Sequence, residues 1–219
     1  MVHESRGEGV FLGPFGSTLR ARLAKDALEE AFPIRRCTRP MRAGTRFSPC
    51  ALAELGKCTA PCDGRIPPER YGELVRTLIA SLSSPGGLLE ALERRMTDLA
   101  AAERYEDAAL ARDRLRAVAE AIARNRTDAW LAGSLCLVVR DDSGSEFRLR
   151  GGSLEVSGST ADAIGVPAPR RRADELAAVR TWLGRNPTGI IDADPPIAEP
   201  IDGGAALSRI LEKLRARAS

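Results

Sequence analysis

Four of the chain's five cysteines, Cys37, Cys50, Cys58 and Cys62, fall close together, separated by 12, seven and three residues. Thiolates are soft ligands, and four of them can enclose a tetrahedral zinc ion or a [4Fe–4S] cluster. The Cys58-Thr59-Ala60-Pro61-Cys62 loop is short enough to deliver two neighbouring ligands. No pair has the C-x-x-C spacing common to both classes, so spacing leaves both metals open, with zinc slightly ahead. Two disulfides are the competing use of these thiols. They are disfavoured because Met1–Val10 lacks the apolar stretch of a signal peptide. The fifth cysteine, Cys136, sits in an apolar run and reads as a core thiol rather than a ligand.

The same stretch is basic. Between Arg35 and Cys62 stand Arg35, Arg36, Arg39, Arg42, Arg46 and Lys57 against one acid, Glu54. Such a field lowers thiol pKa values and offsets thiolate charge. It can equally face a phosphate backbone, making these six residues candidate DNA contacts. The whole chain has a net charge of only +3, which permits a nucleic-acid partner without requiring one.

Catalytic groups are harder to find. The single histidine, His3, lies at a terminus, which argues against Ser-His-Asp and Cys-His hydrolases. Asp141 and Asp142 are a metal pair by residue type, but D-D-S-G is a turn sequence. Gly151-Gly152 and Gly203-Gly204 read as turns, since neither opens a phosphate-binding G-x-x-x-x-G-K element. No catalytic residue is assigned, and no hydrolytic activity is expected of this chain.

The elements that hold these residues follow from periodicity. Val10-Phe11-Leu12 reads as a short strand, and Leu19 to Phe32 as a helix capped by Ser17 or Thr18 and stopped by Pro33. Residues 34–67 have no sustained period, which is unusual for so long a stretch unless something local, such as a metal, organises it. Glu69 to Leu82 reads as a helix with Tyr71, Leu74, Val75, Leu78, Ile79 and Leu82 on one face. Helices from Leu88 to Ala102 and from Tyr105 to Arg124, joined by Glu103-Arg104, should form an antiparallel hairpin. The hairpin can pack on the Glu69–Leu82 helix or await a partner.

After Asp128 the period changes. Ser134–Val139, Glu146–Arg150 and Ser153–Val156 read as strands, with a hairpin signal at Gly151-Gly152. Gly189–Ile191 is a short strand, and Ala173–Leu183 and Ala205–Arg217 are helices. Together these give a mainly α chain with a small antiparallel β element, an α+β class. Four segments are expected: 1–33, a cysteine-rich region at 34–67, a helical region at 68–126 with the hairpin, and a small α+β domain at 128–219. No run approaches the roughly 18 apolar residues of a membrane span, so no membrane partner and a cytoplasmic location are expected.

These motifs resemble the middle of UvrC, the endonuclease subunit of nucleotide excision repair. Phe11-Leu12-Gly13-Pro14-Phe15 is similar to the stretch closing that family's GIY-YIG domain, so 1–33 would be the remnant of such a domain. Phe32-Pro33-Ile34-Arg35-Arg36-Cys37, Pro49-Cys50 and Leu55-Gly56-Lys57-Cys58-Thr59-Ala60-Pro61-Cys62-Asp63-Gly64 match its cysteine motifs in order and spacing. The resemblance implies a [4Fe–4S] cluster on Cys37, Cys50, Cys58 and Cys62, and tips the choice away from zinc. Leu92-Glu93-x-x-Met96 through Asp113 is similar to the UVR motif, whose hairpin joins UvrC to UvrB. That implies partner contacts at Tyr105, Glu106, Arg112 and Asp113, with Tyr105 where the family usually has Phe. Beyond Asp128, Arg180-Thr181-Trp182-Leu183 and Asp202-Gly203-Gly204-Ala205 are loosely similar to proteins that fuse a DnaQ-like DEDD exonuclease to a UvrC-like region. The nuclease carboxylates of either family find no counterpart here. The resemblance therefore implies a non-catalytic module of a DNA-processing nuclease, with DNA and possible UvrB-type partners.

Overall fold

A computed structural model of the chain describes residues 10–41, 46–155, 169–186, 188–196 and 201–216. Its order is α1 (Thr18–Ala31), α2 (Ala51–Glu54), α3 (Pro68–Ser83), α4 (Gly86–Ala101), α5 (Tyr105–Gly133), β1 (Cys136–Asp141), β2 (Glu146–Arg150), β3 (Ser153–Leu154), α6 (Pro169–Arg185), β4 (Thr188–Asp194) and α7 (Ile201–Ala216). The chain divides into a helical unit, Phe15–Ile122 with Pro200–Ser219, and a sheet unit, Met1–Pro14 with Ala123–Glu199. The α+β class expected from the period change is the one found. No helix among the described residues is long and apolar enough to cross a membrane.

In the helical unit, Ser17 caps α1 by accepting the Arg20 backbone N–H at 3.2 Å. This satisfies one of the donors that a helix start leaves without a partner. The core is aliphatic. Leu88, Leu92, Met96 and Leu99 of α4 are buried at i, i+4, i+8 and i+11. From α5 come Ala108, Ala111, Leu115, Val118, Ala119 and Ile122. The alanines permit close helix approach, which is how a chain with 4% aromatics builds this core. Leu19, at the start of α1, is exposed, and Ala24, Ala27 and Glu29 are the buried positions. Glu29 is paired there with Lys25 at 2.7 Å and Arg36 at 3.5 Å, as a buried carboxylate requires.

The hairpin turn is tight. Arg104 N donates to Leu99 O at 2.9 Å and Ala102 N to Asp98 O at 3.0 Å. Between them Glu103 takes φ +58°, a left-handed setting usually left to Gly or Asn. Helix α4 begins two residues before the expected Leu88, because Pro85 leads directly into it and a first turn needs no N–H partners. Helix α5 runs to Gly133, past the expected end at Arg124, because Trp130 and Leu131 extend its apolar face into the sheet unit's core.

The sheet unit has one antiparallel sheet ordered β3-β2-β1-β4. Leu137 pairs with Leu149 across β1 and β2, and Cys136 to Asp141 pair with β4 through a bulge at Val138/Val139. Leu131, Leu137, Val139 and Leu149 form the core, covered by Leu176, Val179, Trp182 and Leu183 of α6. Phe147 and Trp182 meet edge to face with centroids 5.0 Å apart, a favoured geometry for their quadrupoles. Asp141-Asp142-Ser143-Gly144 is the turn its sequence announced. Asp141 Oδ1 accepts from Ser143 Oγ at 2.6 Å and Ser145 N at 2.9 Å, and the Ser143 bond holds its carboxyl below the usual range. Cys136 is half-buried rather than enclosed.

Three local expectations differ. Val10–Leu12 is not a strand, since it finds no ladder partner among the described residues and Phe11 is 56% exposed. Gly203 and Gly204 lie in the first turn of α7, not in a bend, because a first turn tolerates glycine when the rest of the helix is packed. Helix α6 starts at Pro169, four residues earlier than Ala173. Of the expected strand Ser153–Val156, Val156 lies outside the described residues.

Candidate metal centre and partner-facing hairpin

The cysteine region is held by backbone bonds to its surroundings more than by a core. Thr59 N donates to Pro33 O at 2.9 Å, tying the Cys58–Cys62 loop to the stretch leading into Cys37. Phe47 N donates to Cys62 O at 2.7 Å, tying the same loop to the stretch leading into Cys50. Cys50 itself precedes the single turn of α2, and its carbonyl accepts from Ala53 N at 2.8 Å. Within the loop, Ala60 is left-handed at φ +49° and 2% exposed. It is the only residue buried between Ile34 and Pro67 among the described residues. A stretch of this length with one buried alanine has almost no hydrophobic stabilisation of its own.

Two of the sulfurs accept hydrogen bonds. Ala60 N donates to Cys58 Sγ at 3.4 Å. Arg35 Nε donates to Cys37 Sγ at 3.1 Å, and this bond holds the Cys37 thiol below its ordinary range. Cys37 and Cys50 are exposed, Cys58 and Cys62 half-buried, and none is in a disulfide. Among the described residues, no three potential ligands stand close enough to hold a metal ion. The donor set itself, four thiols with no competing imidazole, suits a soft metal centre.

Tyr71 anchors this region to α3. Its hydroxyl accepts the Arg35 backbone N–H at 3.1 Å. Tyr71→Phe removes the acceptor from a part-buried donor and is expected to cost about 0.5–1.5 kcal/mol. Urea denaturation of the full chain, followed by circular dichroism, measures it. A change below the error of the fit would show that water replaces the hydroxyl.

The six basic residues are not equivalent. Arg36 points inward, with its guanidinium on the Glu29 carboxylate and carbonyl and its side chain 22% exposed. Arg35 is spent on Cys37, and its Nη2 is buried. Arg39 stacks over the Phe47 ring at 3.8 Å. Arg46 lies against Gly64. Lys57 forms no ion pair among the described residues and lines a cavity of about 490 Å³ with Glu29, Glu30, Arg95 and Arg114. Arg42 lies outside the described residues. Sequence reasoning missed the cavity's charged bridges, Arg95 to Glu30 at 2.6 Å and Arg114 to Glu30 at 3.2 Å. They join residues 65 and 84 positions apart, for which no local signal exists.

At the hairpin, Tyr105 opens α5 and is 67% exposed. It stands over a cleft of about 310 Å³ lined with Met96, Thr97, Ala100, Ala108 and Arg112. Arg112 and Asp113 pair with each other at 3.0 Å, and Glu106 is exposed in the first turn of α5. Met96 belongs to the UVR-like motif read from sequence, whereas Thr97 and Ala100 were not singled out, because on α4 they read as ordinary surface positions.

Residues 1–81 match the family described as the UvrC/Cho excinuclease middle domain, and residues 86–121 match the UvrB/uvrC motif. The chain is 38% identical over 128 residues to the UvrABC system protein C of Syntrophus aciditrophicus, covering 58% of this chain and 21% of that protein. It is 27% identical over 208 residues to the protein of the same name from Beutenbergia cavernae, covering 93% of this chain and 26% of that one. For Syntrophotalea carbinolica the identity is 32% over 154 residues, 68% of this chain and 24% of that protein. The chain thus spans about a fifth to a quarter of the length of the curated relatives it matches. No solved structure matches it. Its first 121 residues are similar, in order, to a UvrC-type middle domain and a UVR hairpin.

Proposed function

We propose that this chain is a docking module of a bacterial nucleotide-excision-repair nuclease, acting in the cytoplasm, that recruits rather than cuts. The carrying observation is the succession of two matched regions on one chain, the second containing an exposed apolar cleft under Tyr105. A two-helix hairpin cannot cover its own face, so a like hairpin of UvrB is the natural occupant. Tyr105 supplies the aromatic anchor, with Arg112 at the rim and Glu106 and Asp113 beside it. The four cysteines hold a [4Fe–4S] cluster, whose role is to replace the core that residues 34–67 lack. Arg39, Arg46 and Lys57, with Arg42, meet the DNA backbone.

Titration of the full chain with a bacterial UvrB tests the partner. Tyr105→Ala is expected to weaken binding about tenfold, as loss of an interface aromatic does. Unchanged affinity would remove the hairpin from the interface.

A second reading, an interaction module without DNA contact, draws on the inward placement of Arg35 and Arg36. In it zinc replaces the cluster. Duplex DNA binding measured against salt separates the two. Three to four phosphate contacts predict a log–log slope of about −3. A flat response would leave only the interaction module. For the parent enzyme, the excision reading is preferred to a DnaQ-like exonuclease fusion. The relative aligned with 93% of the chain is a UvrABC system protein C, and Trp182 of Arg180-Thr181-Trp182-Leu183 packs on Phe147.

A further inference from the structure

Helix α7 lies along α4 of the hairpin. Its Leu207, Ile210 and Leu214, at i, i+3 and i+7, are buried, which gives it one apolar stripe. Around that stripe the contacts are charged. Lys213 Nζ meets Glu93 Oε1 at 2.7 Å, and Arg209 meets Glu90 at 3.6 Å and Glu93 at 4.0 Å. Arg116 of α5 donates to the Leu214 carbonyl at 3.0 Å.

These clasp residues share a face with the open cleft. On α4, Glu90, Glu93, Thr97 and Ala100 follow one another at i, i+3, i+7 and i+10. On α5, Tyr105, Ala108, Arg112 and Arg116 do so at i, i+3, i+7 and i+11. Both spacings keep residues on one side of a helix. The strip therefore begins under α7 and ends in the cleft below Tyr105.

We infer that the partner-binding face of the hairpin continues beneath α7, and that α7 is its intramolecular competitor. This rests on the reading that the hairpin receives a helical partner. Helix α7 stands in for that partner over the base of the strip and leaves the tip exposed for first contact. A helix that replaces it must bring basic side chains to Glu90 and Glu93, as Arg209 and Lys213 do. The partner is thus a helical hairpin with Lys or Arg flanking its apolar stripe.

The test uses the full chain, with a bacterial UvrB as probe. Amide exchange in residues 205–214 is followed with and without UvrB, and is expected to speed up at saturation. Arg209→Glu with Lys213→Glu sets like charges against Glu90 and Glu93. It is expected to loosen α7 and to raise UvrB affinity about tenfold, since the competing state loses population. Adding Glu90→Lys and Glu93→Lys should restore slow exchange. Protection of α7 that is the same in free and UvrB-bound wild-type chain overturns the inference, even if the variants fold poorly. So does a loosened α7 with unchanged or weaker binding. If no form of the chain binds UvrB, the docking function falls and takes this inference with it. Binding that ignores α7 removes the competitor alone.

Discussion

Cys58→Ser in the full chain is expected to abolish bound metal and to unfold the region between Phe47 and Ile66. The physical case is the poverty of that region. Ala60 is its one buried residue among those described, and its order comes from a few backbone bonds such as Thr59 N to Pro33 O and Phe47 N to Cys62 O. Hydrogen bonds of this kind contribute about 1 kcal/mol each. Ordering a residue costs about 1–2 kcal/mol of backbone entropy, so the stretch from Phe47 to Ile66 cannot be held by them. A tetrathiolate centre would supply the deficit, since metal affinity becomes folding energy when no site exists in the unfolded chain. Loss of one ligand should therefore cost several kcal/mol, the range reached by few single substitutions.

Protein purified without oxygen, analysed for iron, sulfide and zinc, gives the direct readout. The wild type should carry about four irons and show sulfur-to-iron charge-transfer absorption, and Cys58→Ser neither. Cys136→Ser is the control and should retain both, because Cys136 lies on β1 in the sheet unit. One zinc in a colourless wild type would change the metal and keep the ligands. Full metal content and an unmoved melting temperature in Cys58→Ser would dismiss the centre altogether.

The second large effect is expected at Gly152→Ala. Gly151 and Gly152 take φ +57° and +78° in the two-residue turn joining β2 to β3, where Arg150 faces Ser153. Both positive values are what such a hairpin turn demands. A Cβ on Gly152 would stand 2.2 Å from Leu176 Cδ2 and 3.5 Å from the Leu131 carbonyl carbon. Leu176 is not free to retreat, because it packs on the core formed by Leu131, Leu137, Val139 and Leu149. Backbone strain of about 1–2 kcal/mol adds to overpacking of about 1–3 kcal/mol. The expected loss is about 2–5 kcal/mol for the sheet unit.

Gly144→Ala separates the two contributions. Gly144 has φ +84° but open space where its Cβ would go, so only the strain should appear, about 1 kcal/mol. Both tryptophans, Trp130 and Trp182, belong to the sheet unit, so their fluorescence in urea reports it without the helical unit. Equal losses for the two alanines would refute the clash with Leu176.

What was legible in the residues is short-range. Ser17 before an apolar-periodic run marked the start of α1, and the Asp141–Gly144 and Gly151-Gly152 turns were set by residues that accept or demand those dihedrals. The helices and their hairpin followed from spacing alone, and so did the cysteine quartet as a candidate ligand set. Each of these depends on neighbours a few positions away. Pairing across long separations was not legible. That β4, with Ile190 and Ile191 half exposed, completes the sheet beside β1 depends on which backbone edge lies within reach. That α7 rather than α3 takes the widest contact with α4 depends on charge and shape matched more than a hundred positions apart. Arg36 counted as a cation for DNA until folding set it against Glu29, seven residues back across the end of α1. Local dihedral and spacing rules are nearly the same in any fold, whereas the choice among competing apolar stripes and charges is a difference between whole arrangements, and exists only once the chain has closed on itself.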